Sequence, residues 1–217
     1  MPVESGAMKP LKTCTSAYIS GLLALSLFVA CASVPETRYY MLGRIAPQGS
    51  GSAQQVNLTV GVPQFEAEGI YARDNMLYRK SPYEIAPDYY RRWGVPPQRM
   101  LSEVTVDYLR RSGLFAEVLR MPTLSRVDLV LNGRIIRFEE ETGPQGPAVR
   151  VDLEFSLEKS RTNERLWWDE VSSSSPISLP QTAEASVSAA ETGVRTCLEK
   201  ALGSLAEFSA KLSSTTK

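Results

Sequence analysis

The reactive side chains of this chain are its cysteines, because it contains no histidine. Histidine is the commonest general base and the commonest metal ligand near neutral pH. Its absence excludes Ser-His-Asp chemistry, Cys-His chemistry and zinc hydrolysis of the usual kind. Carboxylate-only and Ser-Lys mechanisms stay formally open, but no paired spacing argues for either, and neither a metal nor a cofactor is expected. Three cysteines are present, Cys14, Cys31 and Cys197. Cys31 is the informative one, because it closes the apolar run Leu27-Phe28-Val29-Ala30. A small residue followed by a cysteine at the end of such a run is the pattern of a lipoprotein signal. The thiol receives a lipid, and the cysteine becomes the mature N-terminus.

The flanks agree with export. Lys9 and Lys12 form a short positive region, residues 17 to 30 are almost wholly apolar or small, and polar, turn-prone Ser33 to Thr37 follow. The apolar run is shorter than the roughly 20 residues a membrane-spanning helix needs. The nearest rival is a plain secretory signal cleaved near Ala32; Phe28 stands where lipoprotein signals prefer leucine. On the lipidation reading, residues 1–30 are signal peptide, 31–55 are lipid anchor and flexible tether, and 56–217 are the folded domain. Cys14 leaves with the signal. Cys197 then stands alone, so the mature chain has no intramolecular disulfide. It falls on the apolar side of a predicted helix, which marks a buried, inert thiol rather than a nucleophile.

The 217 residues carry 24 basic and 24 acidic side chains. Loss of Lys9, Lys12 and Glu4 with the signal leaves 22 against 23, a net charge of −1. There is no basic excess to hold a polyanion, so nucleic acid is not an expected partner. Electrostatics would not hold the protein on a membrane either, and the lipid would have to do so. The mature length suits one domain with a sizeable core.

Residues 32 to 55 are rich in Pro, Gly, Ser and Gln, the composition of a linker, interrupted by the extended-looking Arg38-Tyr39-Tyr40-Met41-Leu42. Val56 to Val62 alternates as a strand, and Pro63 ends its ladder. Met76 to Arg79 and Tyr83 to Ala86 read as short strands of a hairpin around Ser81-Pro82. Pro96-Pro97 opens a helix carrying Met100, Leu101, Val104, Tyr108 and Leu109, with Gly113 as its stop. Strands are expected over Leu114 to Val118, Val127 to Phe138, Val149 to Leu157 and Glu164 to Ser172. Gly143 to Pro147 is read as a turn, and Ser172 to Ser178 as a polar connection. On the last strand Leu166 and Trp168 face one way and Trp167 the other. From near Pro180 to about Leu212 a long amphipathic helix follows. Its stripe is Val187, Ala190, Val194, Cys197, Ala201, Leu205, Phe208 and Leu212. The expected fold is α/β: a mixed sheet of about five to seven strands covered by two main helices, one of them C-terminal.

These pieces resemble the ABC-type transport auxiliary lipoproteins, the group that includes the PqiC-type intermembrane transport lipoproteins. The resemblance begins with Cys31 and with Tyr39-Tyr40-Met41-Leu42, which is similar to the family's Tyr-Tyr-x-Leu opening. It continues through Leu77-Tyr78-Arg79, Arg92-Trp93-Gly94-Val95-Pro96-Pro97 and Met100-Leu101. Leu109, Ser112-Gly113-Leu114-Phe115, Val118, Asp128-Leu129-Val130-Leu131 and Ile135-x-x-Phe138 complete it. It implies a non-enzymatic, periplasm-facing lipoprotein that works with an MCE-type substrate-binding protein and an ABC permease/ATPase complex. Such systems move phospholipids or other hydrophobic molecules across the cell envelope. Homo-oligomers are a further expectation. Ala32 directly after the lipidated cysteine favours outer-membrane sorting by the rule for enteric bacteria.

Tyr89, Tyr90 and Trp93, beside Arg91 and Arg92, are the candidate partner contact, since Tyr, Trp and Arg are favoured at binding hot spots. The competing reading is that Trp93 and one tyrosine cap the core. Glu139-Glu140-Glu141 reads as a solvated strand end. An alternative function is a structural or assembly lipoprotein of the outer membrane that binds peptidoglycan or a barrel protein.

Overall fold

A long strand organises the domain. In the computed structural model, which describes residues 35–48 and 55–215 and side chains to residue 210, β7 (Leu129–Gly143) is the spine. One of its edges pairs antiparallel with β8 (Gly146–Lys159), and β8 pairs antiparallel with β9 (Arg165–Pro176). The β7–β8 connection is tight: Gly143 pairs with Gly146, whose φ of 104° suits only glycine. Fifteen residues of strand extend about 50 Å, enough for three short strands end to end on the other edge. These are β2 (Val56–Val62), β3 (Glu66–Ala67) and β4 (Asn75–Ser81), all parallel to β7. Pro63 follows β2 directly, as expected of a residue with no N–H to give a ladder.

β6 (Phe115–Arg120) adds to β2, β5 (Glu84–Trp93) forms a hairpin with β4, and β1 (Arg38–Tyr40) pairs in parallel with β5. Two helices complete the α/β fold. Helix α1 (Pro97–Ser112) ends at Gly113, whose φ of 67° is the left-handed cap the sequence called for. Helix α2 (Ala183–Thr215) is capped by the Thr182 hydroxyl, which accepts the Ala185 N–H at 3.1 Å. It packs on β8 and β9, while α1 packs on β6. Ala190, Val194, Cys197, Ala201 and Leu205 of the expected stripe are buried, and Val187 and Phe208 half-buried. Burial pushes the Cys197 thiol up to about 12, so it is inert.

Nine strands are present among the described residues. The additions to the expected set are β1 and β3, too short to show a period. β9 also runs four residues past Ser172, through the segment read as a polar connection. Its Ser173 and Ser175 point inward beneath α2. Small side chains there let the helix come close: a Cβ on Gly193 would lie 2.8 Å from Val151 Cγ2. The strand is thus inward-facing without being apolar. Cys31 and the signal lie outside the described residues, as does the Leu212 side chain.

Candidate functional site

The expected aromatic contact is divided by the sheet. Trp93 is 4% exposed and stacks on Phe138, with centroids 5.1 Å apart. It is a core residue and offers no surface to a partner. Its position on β5 faces inward, and it hydrogen-bonds through its backbone N–H to Asp74 O at 2.6 Å. Tyr89 and Tyr90 stay outside, at 70% and 44% exposure. Between them and the core sits Asp88, whose Oδ1 accepts the Tyr90 and Arg91 N–H groups, each at 2.9 Å. Burial would raise the Asp88 carboxyl, but these amides and the Arg91 guanidinium outweigh it and lower its pKa.

A third exposed tyrosine joins them from the segment read as tether. In β1, Tyr39 is 63% exposed and opposite Arg92, and Tyr40 O accepts the Gly94 N–H at 2.7 Å. Leu42 and Ile45 are buried in the core, and the Gly43 N–H donates to Glu191. Residues 38–45 therefore belong to the domain. The polar linker composition around them hid this; the signal was the apolar Tyr-Tyr-Met-Leu within it.

Glu139 and Glu140 are not a solvated strand end. The Glu139 side chain is fully buried. It receives Arg79 in a fork, Nε to Oε1 at 2.6 Å and Nη2 to Oε2 at 3.0 Å, and the Tyr71 hydroxyl at 2.8 Å. Burial first, and then this carboxylate, push the Tyr71 phenol up to about 12. Glu140, pointing to the other side of the strand, receives Arg91 Nη1 at 2.7 Å and Gln181 Nε2 at 3.3 Å. Arg79 lies on β4 and Arg91 on β5. The hairpin that carries Tyr89 and Tyr90 is therefore fastened to the spine from both faces. No group of three or more His, Cys, Asp or Glu among the described residues could hold a metal, and no described helix is long and apolar enough to cross a membrane.

A crystal structure of a Xanthomonas campestris protein of the DUF330 family is similar to this chain, with TM-score 0.72 and 21% identity. The match covers 82% of this chain and 99% of that one. A crystal structure of an uncharacterized protein matches with TM-score 0.53 and 15% identity, over 84% of this chain and 99% of that one. At these identities the likeness concerns the fold. No curated protein matches. The family profile of the ABC-type transport auxiliary lipoprotein component matches residues 40–200. That span opens at Tyr40, the last residue of β1, takes in β2 to β9 and ends in α2, and the chain belongs to the ABC-type transport auxiliary lipoprotein family.

Proposed function

We propose that the protein is a non-enzymatic accessory lipoprotein of an ABC/MCE-type system moving phospholipids or other hydrophobic molecules across the envelope. The observation that carries this reading, within the family, is the exposed tyrosine edge of Tyr39, Tyr89 and Tyr90, fastened to the core by buried ion pairs. In this reading residues 1–30 are removed, Cys31 is acylated, and the domain faces the periplasm from the outer membrane, as Ala32 favours. The tyrosine edge meets an MCE-type substrate-binding protein or the ABC permease/ATPase complex. Tethering raises the effective concentration of partners at one membrane, so each contact can be weak. Homo-oligomers belong to the same reading and are measured by sedimentation of the detergent-solubilised protein.

The test is affinity purification from gently solubilised membranes, with mass spectrometry of the recovered proteins and of intact Cys31. Recovery of MCE-type or ABC components, reduced by Cys31→Ala and by Tyr89→Ala/Tyr90→Ala, is expected. Recovery of peptidoglycan-associated or barrel proteins alone would overturn the transport assignment. An unmodified Cys31 would overturn the anchor.

A further inference from the structure

The open face of the sheet suggests a ligand. Both helices lie on the side of β7, β8 and β9 that carries Leu131, Ile135, Leu153, Phe155, Leu157 and Trp167. The alternate residues point away from the helices. Register sets Asn132 opposite Ser156 and Ser156 opposite Trp168, one row across three strands. The next row is Arg134, Glu154 and Glu170. A shallow cleft of about 290 Å³ lies over the first two strands, with Glu66 of β3 as one wall. Glu158 also lines it.

Several groups here are incompletely used within the protein. Among the described residues the Asn132 side-chain amide has no hydrogen-bond partner. Among the described residues the Ser156 hydroxyl has only a long 3.5 Å contact with Glu158. Arg134 bridges Glu68 at 2.9 Å and Glu154 at 3.3 Å, and its Nε has no partner among the described residues. Trp168 is 48% exposed, a large flat ring beside this polar row.

We propose that this face binds a neutral glycan of extended, β-1,4-linked pyranose units, with Trp168 stacked on one ring and Asn132, Ser156 and Glu154 hydrogen-bonded to the next. Three observations converge on that chemistry. A β-pyranose with equatorial substituents offers an apolar C–H face to an indole and hydroxyls around its rim to amide, hydroxyl and carboxylate groups. Strands are about 4.8 Å apart, so Asn132 and Trp168 are separated by about 10 Å, the span of two linked rings. Glu66, Glu154 and Glu158 outnumber Arg134 around the cleft, which disfavours phosphate, uronate and nucleic-acid backbones. This inference goes beyond the transport reading and uses none of its tyrosines.

The test is calorimetric titration of the detergent-solubilised full chain with cellotriose and with N,N′,N″-triacetylchitotriose; the two arms separate a plain from an N-acetylated glycan. Saturable binding of at least one is expected below about 10 mM. Trp168→Ala should weaken it about tenfold or more. Asn132→Ala should weaken it as well, and Tyr89→Ala should leave it unchanged. Should Trp168→Ala fail to fold, Asn132→Ala decides alone. Absence of binding by both sugars, binding indifferent to these substitutions, or tighter binding of trigalacturonate would each overturn the proposal.

Discussion

The Arg79–Glu139 pair makes a prediction whose sign depends on which partner is lost. The carboxylate side chain is 0% exposed, whereas the guanidinium side chain is 22% exposed. Arg79→Ala leaves a buried charge with, among the described residues, only the Tyr71 hydroxyl for company, and breaking a buried pair in this way costs about 3–5 kcal/mol. Glu139→Gln preserves shape, keeps an acceptor for Tyr71, and leaves an arginine that reaches water. Its cost should be nearer 1–2 kcal/mol, the order of a lost charged hydrogen bond. In a domain of this size 1 kcal/mol moves Tm by about 2–4 °C. Arg79→Ala should therefore lower Tm by about 6–20 °C, and Glu139→Gln by about 2–8 °C. Replacing both with Arg79→Met and Glu139→Leu should recover most of the loss, since apolar groups of similar volume often substitute for a buried pair without penalty. Urea unfolding followed by tryptophan fluorescence, with calorimetry alongside, measures all three. Equal costs for the two single variants, or a larger cost for Glu139→Gln, would refute the assignment of the carboxylate as the desolvated partner.

The buried acids predict alkaline instability. Burial raises Cys197 and Tyr108, each at most 1% exposed, to about 12 from 9.0 and 10.0. The native state keeps protons that the unfolded state releases. Stability should be level below about pH 9 and fall as pH rises from 9 toward 12, by roughly 2–3 kcal/mol from Cys197 alone near pH 11; urea midpoints at pH 8 and pH 10.5 in the parent and Cys197→Ala measure this. Gly133→Ala should destabilise by about 1–3 kcal/mol, because its Cβ would sit 2.4 Å from Phe65 Cζ and disturb the edge-on Phe65–Phe155 contact; a Tm within 1 °C of the parent would contradict this. Tyr89→Ala and Tyr90→Ala should change stability by no more than about 0.5 kcal/mol and reduce recovery of partners, read from thermal melts beside the copurification.

What was legible in the sequence was what periodicity reports. The stripe of α2, the Gly113 stop of α1 and the alternation of β7 and β8 all express burial of one face, and apolar spacing records burial directly. The misses share a different cause. Ser173 and Ser175 face inward because a helix comes close to them, and small residues look like a loop. Glu139 and Glu140 look solvated because their counterions lie 60 and 49 residues earlier in the chain, where nothing local announces the pairing. β1 looks like linker because its ladder belongs to β5. Of the candidate contact, composition drew in Tyr89, Tyr90 and Trp93 together; the structure leaves the two tyrosines exposed and turns Trp93 inward, and it exposes Tyr39, which reads as tether, beside them.

The incorporation of β1 also sets the length of a leash. In the proposed anchored state, Cys31 is joined to Arg38 by seven residues, at most about 25 Å of extended chain. Were the domain to begin at Val56, the same anchor would allow about 85 Å. The three-residue ladder of β1, with Leu42 and Ile45 seated behind it, then acts as a mechanical clasp. Tension applied from the membrane is borne there first. Opening the clasp would more than triple the distance the domain can travel.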